Sequence, residues 1–184
     1  GWAVSGTAWS IGPSGFLVAP TGAARVITNT AASYTDFSYS AVFSSTSASG
    51  NIGLVFRALD GRNHYRFVWT RASNGTGSYA LQRVVDNVAT NLATGGAAGY
   101  TLNRWYHAEI RAVGNTFTVY LDGSPVLSTS DSQFAAGTVG FYANNQSTAF
   151  FDNVFVTKFG SAGCSVNLGD LITYTLLISN QQAL

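Results

Sequence analysis

Few side chains of this chain have the types and the spacing that catalysis requires. The 184 residues include one glutamate, Glu109, and two histidines, His64 and His107. Glycoside hydrolysis needs two carboxyl groups across the scissile bond, and Glu109 in "YHAEIRA" has no carboxylate near it in sequence. Neither histidine stands in a metal-ligand spacing, and no "GxSxG" nucleophile motif joins a strand to a helix. The sequence therefore predicts a protein that is not an enzyme, with both histidines at the surface or hydrogen-bonded.

Another set of side chains has the chemistry of sugar recognition. Arginines donate hydrogen bonds to hydroxyl groups, while tryptophan and tyrosine offer flat apolar faces. Arg57 and Glu109 are interpreted first as a cross-strand ion pair and second as part of a ligand clamp. Ligand binding is predicted for Arg57, Arg66, Trp105, Glu109, Arg111 and Tyr120.

Strands must position these side chains, because hydrophobicity alternates at period two and no helical stretch of ten or more residues is evident. Segments such as "NIGLVFRAL", "HYRFVWT", "RWYHAEIRAV" and "TFTVYLDG" are separated by turn signals such as "DGRN" and "VGNT". This pattern predicts an all-β sandwich. Alternate residues of a strand point to the same side, and on one side of these strands they form the predicted core. The predicted core consists of Leu54, Phe56, Tyr65, Phe67, Trp69, Tyr106, Ala108, Ile110, Phe117, Val119 and Leu121.

Composition and charge exclude two classes of partner. Only 9% of the residues are charged and the net charge is +1, which leaves no basic stripe for nucleic acid or for an anionic membrane. No apolar run is long enough to span a bilayer. The chain begins "GWAVSG" and contains no methionine, so we expect an exported mature chain, although a trimmed chain would look the same. Cys164 is the only cysteine, and it is either an inert thiol or an intermolecular attachment point.

The order of several motifs within residues 1–158 resembles a known family. The segments "WSIGPSGFLV", "GLVFRALDGRNHYRF", "NRWYHAEIRAVGNTFTVYLDGSPVLSTSD" and "AGTVGFYANNQSTAFFDNVFV" are similar to concanavalin A-like, laminin G-like jelly-roll domains. The resemblance implies two antiparallel sheets packed face to face over residues 1–159. It also implies a concave surface that binds glycans in many relatives, and no catalysis in most of the simple domains.

Four aspartates have competing interpretations. The resemblance implies that Asp152 in "FFDNVFV" helps to hold a structural Ca²⁺ with backbone carbonyls, while its alternative role is to accept backbone N–H bonds. Asp60 in "LDGR" and Asp122 in "LDGS" are predicted turn residues. Asp131 is left open between a loop cap and a cation site.

The chain closes with a short linker, residues 160–165, and an apolar strand, residues 166–184. The strand resembles the opening strand of a repeat domain of bacterial surface proteins, and the remainder of that domain is absent from this sequence. It can fold back onto its own sandwich, be the stump of a longer protein, or insert into the next copy of the chain. We favour insertion, which predicts a head-to-tail homopolymer held by Ile172, Tyr174, Leu176 and Ile178.

The sequence analysis therefore predicts a secreted or cell-surface structural protein, a filament subunit assembled by its C-terminal strand. The alternative is a carbohydrate-binding or adhesion domain that uses the concave face of the sandwich. Two sequons, "NGT" at Asn74 and "NQS" at Asn145, are candidate glycosylation sites in turn-like segments.

Overall fold

The computed structural model describes residues 2–5, 9–12, 14–19, 21–22, 24–146 and 148–159. Every regular element in these residues is a β-strand, which confirms the predicted all-β class. No helix among them is long and apolar enough to cross a membrane. In chain order the strands are β1 (Trp2–Ser5), β2 (Ser10–Ile11), β3 (Leu17–Ala19), β4 (Arg25–Asn29), β5 (Phe37–Ser45), β6 (Gly50–Ala58), β7 (His64–Arg71), β8 (Gly77–Val85), β9 (Val88–Gly95), β10 (Tyr106–Val113), β11 (Thr116–Leu121), β12 (Ser124–Ser130), β13 (Thr138–Asn144) and β14 (Ala149–Lys158).

The strands form two antiparallel sheets of seven strands each. Sheet A has the order β1-β4-β13-β6-β7-β8-β9, and sheet B has the order β12-β11-β10-β5-β14-β3-β2. Strands that are distant in sequence, such as β4 and β13, are therefore neighbours in space. The predicted two-sheet jelly-roll sandwich is confirmed.

One side of each strand supplies the core, as the alternation predicts. All eleven residues of the predicted core are buried between the two sheets. Aromatic rings dominate the packing: Phe117 of sheet B lies 5.1 Å from Phe56 and 4.7 Å from Tyr65 of sheet A, measured between ring centres. Burial raises the pKa of Tyr65 to about 12, and its hydroxyl donates a hydrogen bond to Asp131.

Three of the aspartates are explained by local structure. Asp60 accepts backbone hydrogen bonds from Arg62 and Asn63 at 2.7 and 2.8 Å, so it shapes the β6–β7 turn as predicted. Asp122 starts the β11–β12 turn with φ +48°, as expected for a type I′ hairpin. Asp131, which the sequence left open, forms an ion pair with Arg83 at 2.7 Å.

Arg57 occupies a bulge in β6 and is not on the outer face where the parity argument places it. Val55 pairs with Gly140 and Ala58 pairs with Thr138, so two residues of β6 lie opposite one residue of β13. Arg57 has φ +44°, which is a strained value for a non-glycine residue. The extra residue reverses the alternation, and the Arg57 side chain is 1% exposed.

The guanidinium of Arg57 ties together loops at one end of the sandwich. It donates to the backbone oxygens of Thr35 at 2.6 Å, Gly114 at 2.7 Å and Phe134 at 3.3 Å. Its ionic partner is Asp36 at 3.6 Å, so the predicted ion pair with Glu109 is wrong. Burial lowers the pKa of Arg57, and the nearby Asp36 carboxylate partly offsets that effect.

The predicted linker 160–165 and C-terminal strand 166–184 lie outside the described residues, as does Cys164. This includes the predicted assembly residues Ile172, Tyr174, Leu176 and Ile178. The described chain ends just after β14, where the backbone N–H of Phe159 donates to the Asp36 oxygen at 2.9 Å.

Replacing Arg57 with methionine should destabilise the fold, because three loop carbonyls lose the buried guanidinium that donates to them. We expect the free energy of unfolding to fall by about 2–4 kcal/mol, measured by urea denaturation. Arg111→Met is the matched control, since Arg111 is half-exposed in an ion pair on sheet B and its removal should lower the free energy of unfolding much less than removal of Arg57. Equal losses in the two variants would contradict the anchoring role of Arg57.

Candidate functional site

Alternate residues of sheet A point away from the core and form its outer face. On β7 these include His64 and Arg66, because the intervening Tyr65 belongs to the core. The register places Val55 of β6 and Gln82 of β8 directly beside Arg66. Polar side chains of β7 and β8 therefore share one surface with apolar residues of β6.

The centre of this outer face is apolar and buried. Five residues there form a small hydrophobic cluster that is separate from the main core. Side chains in the middle of a flat, uncovered sheet would be exposed, whereas these five are buried. We therefore call the outer face of sheet A around this cluster the recessed face. The cluster consists of Val26, Val55, Ala58, Val68 and Tyr142.

Arg66 lies across the floor of the recessed face. Its guanidinium carbon is 4.0 Å from the ring centre of Tyr142, a cation–π contact, and Gly53 on the intervening strand adds no side chain between them. Arg66 Nε donates to Gln82 Oε1 at 2.8 Å, and Gln82 Nε2 donates to Asn91 Oδ1 at 2.8 Å. Burial lowers the pKa of Arg66, and the Tyr142 phenol partly offsets this effect. The group nevertheless remains charged at neutral pH.

His64 is buried beside Arg66 without a hydrogen-bond partner. Its side chain is 1% exposed, and neither ring nitrogen is within hydrogen-bonding geometry of any described residue. Burial and then the charge of Arg66 lower its pKa from 6.5 to about 4. The backbone carbonyl of Asp60 offsets part of this lowering of the pKa, although its contact with the imidazole does not have the geometry of a hydrogen bond. His64 is therefore a neutral imidazole at pH 7, and its prediction as a surface or hydrogen-bonded histidine is wrong.

A cavity of about 270 Å³ opens above these residues. Its lining combines a guanidinium, a neutral imidazole, an amide and a phenol with aliphatic side chains. Such a lining can hydrogen-bond hydroxyl groups as donor and acceptor while covering an apolar surface of the same ligand. The lining residues are Ala24, Val26, Gly61, His64, Arg66, Val84, Asn87 and Tyr142.

The six predicted ligand-binding residues do not lie together. Arg57 is inside the sandwich and Arg66 is on the recessed face. The remaining four belong to the opposite sheet or its connecting loop. The sequence grouped these residues because they occupy corresponding alternate positions of their strands. The strand order shows that those strands belong to different sheets. The four on the side of sheet B are Trp105, Glu109, Arg111 and Tyr120.

The outer face of sheet B is largely self-paired. Arg111 stacks on Tyr120 with its guanidinium carbon 4.4 Å from the ring centre, and its Nε donates to Glu109 at 2.7 Å. Glu109 also accepts a hydrogen bond from the Ser38 hydroxyl at 2.6 Å. This arginine and this glutamate therefore satisfy one another.

An aromatic patch lies at the edge of the same face. Trp105 is 40% exposed, and its ring centre is 5.0 Å from that of Phe16 and 6.4 Å from that of Phe150. Asp152 and Asn153 line a cavity of about 240 Å³ beside it. This patch is a second surface with the composition of a sugar-binding platform, although its cavity contains no buried unpartnered polar group among the described residues.

The calcium site at Asp152 stays a prediction. Asp152 is half-buried, next to a bulge in β14 where Asn153 has φ +49°. The described residues contain no group of three or more histidine, cysteine, aspartate or glutamate side chains that could hold a metal ion. In such a site Asp152 would be joined by backbone carbonyls, as the resemblance implies.

Both predicted sequons lie at exposed turns. Asn74 is exposed, and its side-chain oxygen accepts hydrogen bonds from the Thr76 backbone and hydroxyl at 3.1 and 2.7 Å. Asn145 is exposed with φ +52°. Glycosylation of either residue stays a prediction.

Sequence reasoning missed four residues of the recessed face. His64 shares the parity of Arg66 in "HYRF", which was the available signal for placing them together. The other three come from strands whose neighbours cannot be read from the sequence. These residues are Gln82, Asn91 and Tyr142.

The two-sheet sandwich of this chain is similar to the folds of several proteins of known structure. The carbohydrate-binding module CBM66 from Bacillus subtilis is 25% identical, with a TM-score of 0.73 over 85% of this chain and 94% of that one. A Bacillus subtilis protein of unknown function with a galectin-like fold has 14% identity and a TM-score of 0.65 over 85% and 89%. Congerin II, solved with lactose and MES, has 12% identity and a TM-score of 0.57 over 72% and 98%.

Residues 1–157 match the 3-keto-alpha-glucoside-1,2-lyase-like domain, and the chain belongs to this family. The match covers the whole described sandwich except its last two residues. No curated protein is significantly similar in sequence.

Burial of His64 should make stability depend on pH. The unfolded chain binds the His64 proton with a pKa near 6.5 and the folded chain with a pKa of about 4, so stability is lost as the pH falls through that window. Between pH 7 and pH 4.5 the free energy of unfolding of the wild type should fall by about 2 kcal/mol more than that of His64→Gln, measured by urea denaturation. His107→Gln is the comparison variant, because His107 is exposed and does not line the cavity of the recessed face. Parallel losses in wild type and His64→Gln would show that His64 does not titrate in this way.

Proposed function

We propose that this chain is a carbohydrate-binding domain whose ligand occupies the cavity of the recessed face. The observation that carries the proposal is His64, a buried imidazole with no described partner that borders this cavity beside Arg66. Buried polar groups in native proteins are normally hydrogen-bonded, so the unpartnered imidazole calls for a partner that the described residues do not supply. A saccharide hydroxyl can both donate to and accept from a neutral imidazole.

The lining of the cavity supports a saccharide. Polar groups of Arg66, Asn87 and Tyr142 border the cavity together with the aliphatic side chains of Val26 and Val84. A sugar ring presents hydroxyls at its edge and C–H groups on its faces, so it needs this mixture of contacts. The likeness to a module named for carbohydrate binding, at 25% identity, supports the same function.

Export to the cell surface or the extracellular space is part of this proposal, as expected of a protein that binds polysaccharide outside the cell. Assembly into a homopolymer depends on residues 166–184, which lie outside the described residues, so it stays a prediction. A binding domain on the recessed face and a donated C-terminal strand use different parts of the chain and are compatible.

Blocking the cavity tests the proposal without removing a polar group. Ala24 is exposed and lines the cavity, so Ala24→Trp should fill it. On a glycan array the wild type should bind at least one saccharide, and Ala24→Trp should bind it about tenfold or more weakly by isothermal titration calorimetry.

Ala135→Trp is the matched control, because Ala135 is exposed and does not line this cavity. It should bind as the wild type does. A wild type that binds no saccharide, or an Ala24→Trp variant with unchanged affinity, would overturn the assignment of the recessed face. Retained binding in Ala24→Trp together with loss in Trp105→Ala would move the site to the aromatic patch of sheet B.

The family name brings a second candidate, the cleavage of a 3-keto glucoside, against the prediction that the chain is not an enzyme. His64 is the observation that favours it, since a neutral imidazole can accept a proton. The C2 proton of a 3-keto sugar is acidic, because it lies beside the carbonyl group. His64 would take this proton and Arg66 would stabilise the enolate oxygen; the C1–C2 double bond would then form as the C1–O bond breaks, and the leaving oxygen would take a proton from solvent.

Incubation with a nitrophenyl 3-keto-α-glucoside tests this second candidate. If the chain is a lyase, it should release nitrophenol, and His64→Gln should slow the release by about 100-fold or more. His107→Gln should leave the rate unchanged. No release by the wild type above the rate in buffer would rule out the second candidate and leave the binding function in place.

A further inference from the structure

We propose that the recessed face selects a carboxylate-bearing saccharide, a uronic acid residue, whose carboxylate pairs with Arg66. This inference rests on the proposed binding function and names the class of its ligand. It depends on the contrast between Arg66 and the four arginines of the sandwich that form ion pairs with carboxylates.

Four arginines form ion pairs with carboxylates in the described part of the chain. The nitrogen–oxygen distances are 2.7 Å for Arg83–Asp131, 2.8 Å for Arg104–Asp122, 2.7 Å for Arg111–Glu109 and 3.6 Å for Arg57–Asp36. Two of these arginines, Arg104 and Arg111, are exposed, whereas Arg66 is only partly exposed. Carboxylates are scarce in this chain, and the four in these pairs already have an arginine as their ion-pair partner.

Arg66 is largely buried and has no such partner among the described residues. Its Nε donates to Gln82 and its guanidinium interacts with the Tyr142 ring and phenol, so the partners of Arg66 in the described part of the chain are neutral groups and none of them is a carboxylate. The nearest acidic turn does not compensate, because the Asp60 carboxylate accepts from Arg62 and Asn63 in its own turn. Burying a charge without a counter-charge is costly, and a ligand carboxylate would remove that cost.

The geometry suits a planar anion. Stacking on Tyr142 holds the guanidinium flat, and the Nε bond to Gln82 fixes its rotation, so its terminal nitrogens have a defined direction. A carboxylate can accept two parallel hydrogen bonds from such a guanidinium edge. His64 borders the same cavity and can donate one N–H to the carboxylate or to a neighbouring hydroxyl.

The test compares acidic oligosaccharides with matched neutral forms in which the carboxylate is reduced to an alcohol. Oligomers of galacturonate, glucuronate and mannuronate, and the carboxyl-reduced form of each, are titrated into the full chain by calorimetry. We expect at least one acidic oligomer to bind about 10- to 100-fold more tightly than its reduced form, as is typical of hydrogen bonds to a charged group. Added NaCl should weaken the acidic complex and leave any neutral complex unchanged.

Arg66→Gln should abolish the preference for the acidic form while the fold is retained. Arg111→Gln is a matched control, because Arg111 also stacks on a tyrosine, Tyr120, but already has Glu109 as its partner. It should keep the wild-type preference. Circular dichroism at 25 °C establishes that both variants are folded.

Each remaining outcome is decisive. Binding of neutral oligomers with equal or greater affinity would overturn the uronate assignment and leave the binding function standing. Preference for sulfated dextran over every uronate would show that the anion is not a carboxylate. Binding to no acidic or neutral saccharide would overturn the proposed function, and this inference with it.

Discussion

The bulge at Arg57 is the constraint on which both sides of sheet A depend. One extra residue in β6 reverses the alternation opposite β13 and turns a charged side chain inward. Inside, the guanidinium bonds to carbonyls of three loops, so it closes one end of the sandwich. Because the bulge turns Arg57 inward, its side chain is absent from the recessed face on the outer side of sheet A. Bulges also bend a strand locally, and β6 lies at the centre of the sheet whose outer face is recessed.

The two outer faces of the sandwich use the same side chains differently. Each has an arginine stacked on a tyrosine, Arg66 on Tyr142 and Arg111 on Tyr120. On sheet B the arginine is half-exposed and its charge is compensated by Glu109, which leaves little for a ligand to gain. On sheet A the stack is recessed and its charge is uncompensated by the described residues. Burial and missing partners, rather than residue type, therefore distinguish the candidate site from its counterpart.

The sequence predicts most of the fold and little of the site, for a physical reason. Period-two alternation reports which side of a strand is buried, so all eleven predicted core residues are in the core. It does not report which strands are neighbours, so Arg66 and Arg111 were grouped although they lie on different sheets. It also fails where the period is broken, as at Arg57. His64 was missed because the lack of a partner is a property of the folded chain and has no sequence signal.

His64 connects stability with function at this site. A buried polar group without a partner typically costs about 1–3 kcal/mol, whereas an apolar side chain of similar size in its place would cost nothing of this kind. The cost is lowest when the imidazole is neutral, and both burial and the charge of Arg66 keep it so at pH 7. A neutral imidazole beside a guanidinium can donate to a ligand oxygen or accept its proton. Under the two functions proposed above, the same pair of side chains would take part in saccharide binding or in proton abstraction, and the chemistry of the bound sugar would decide between them.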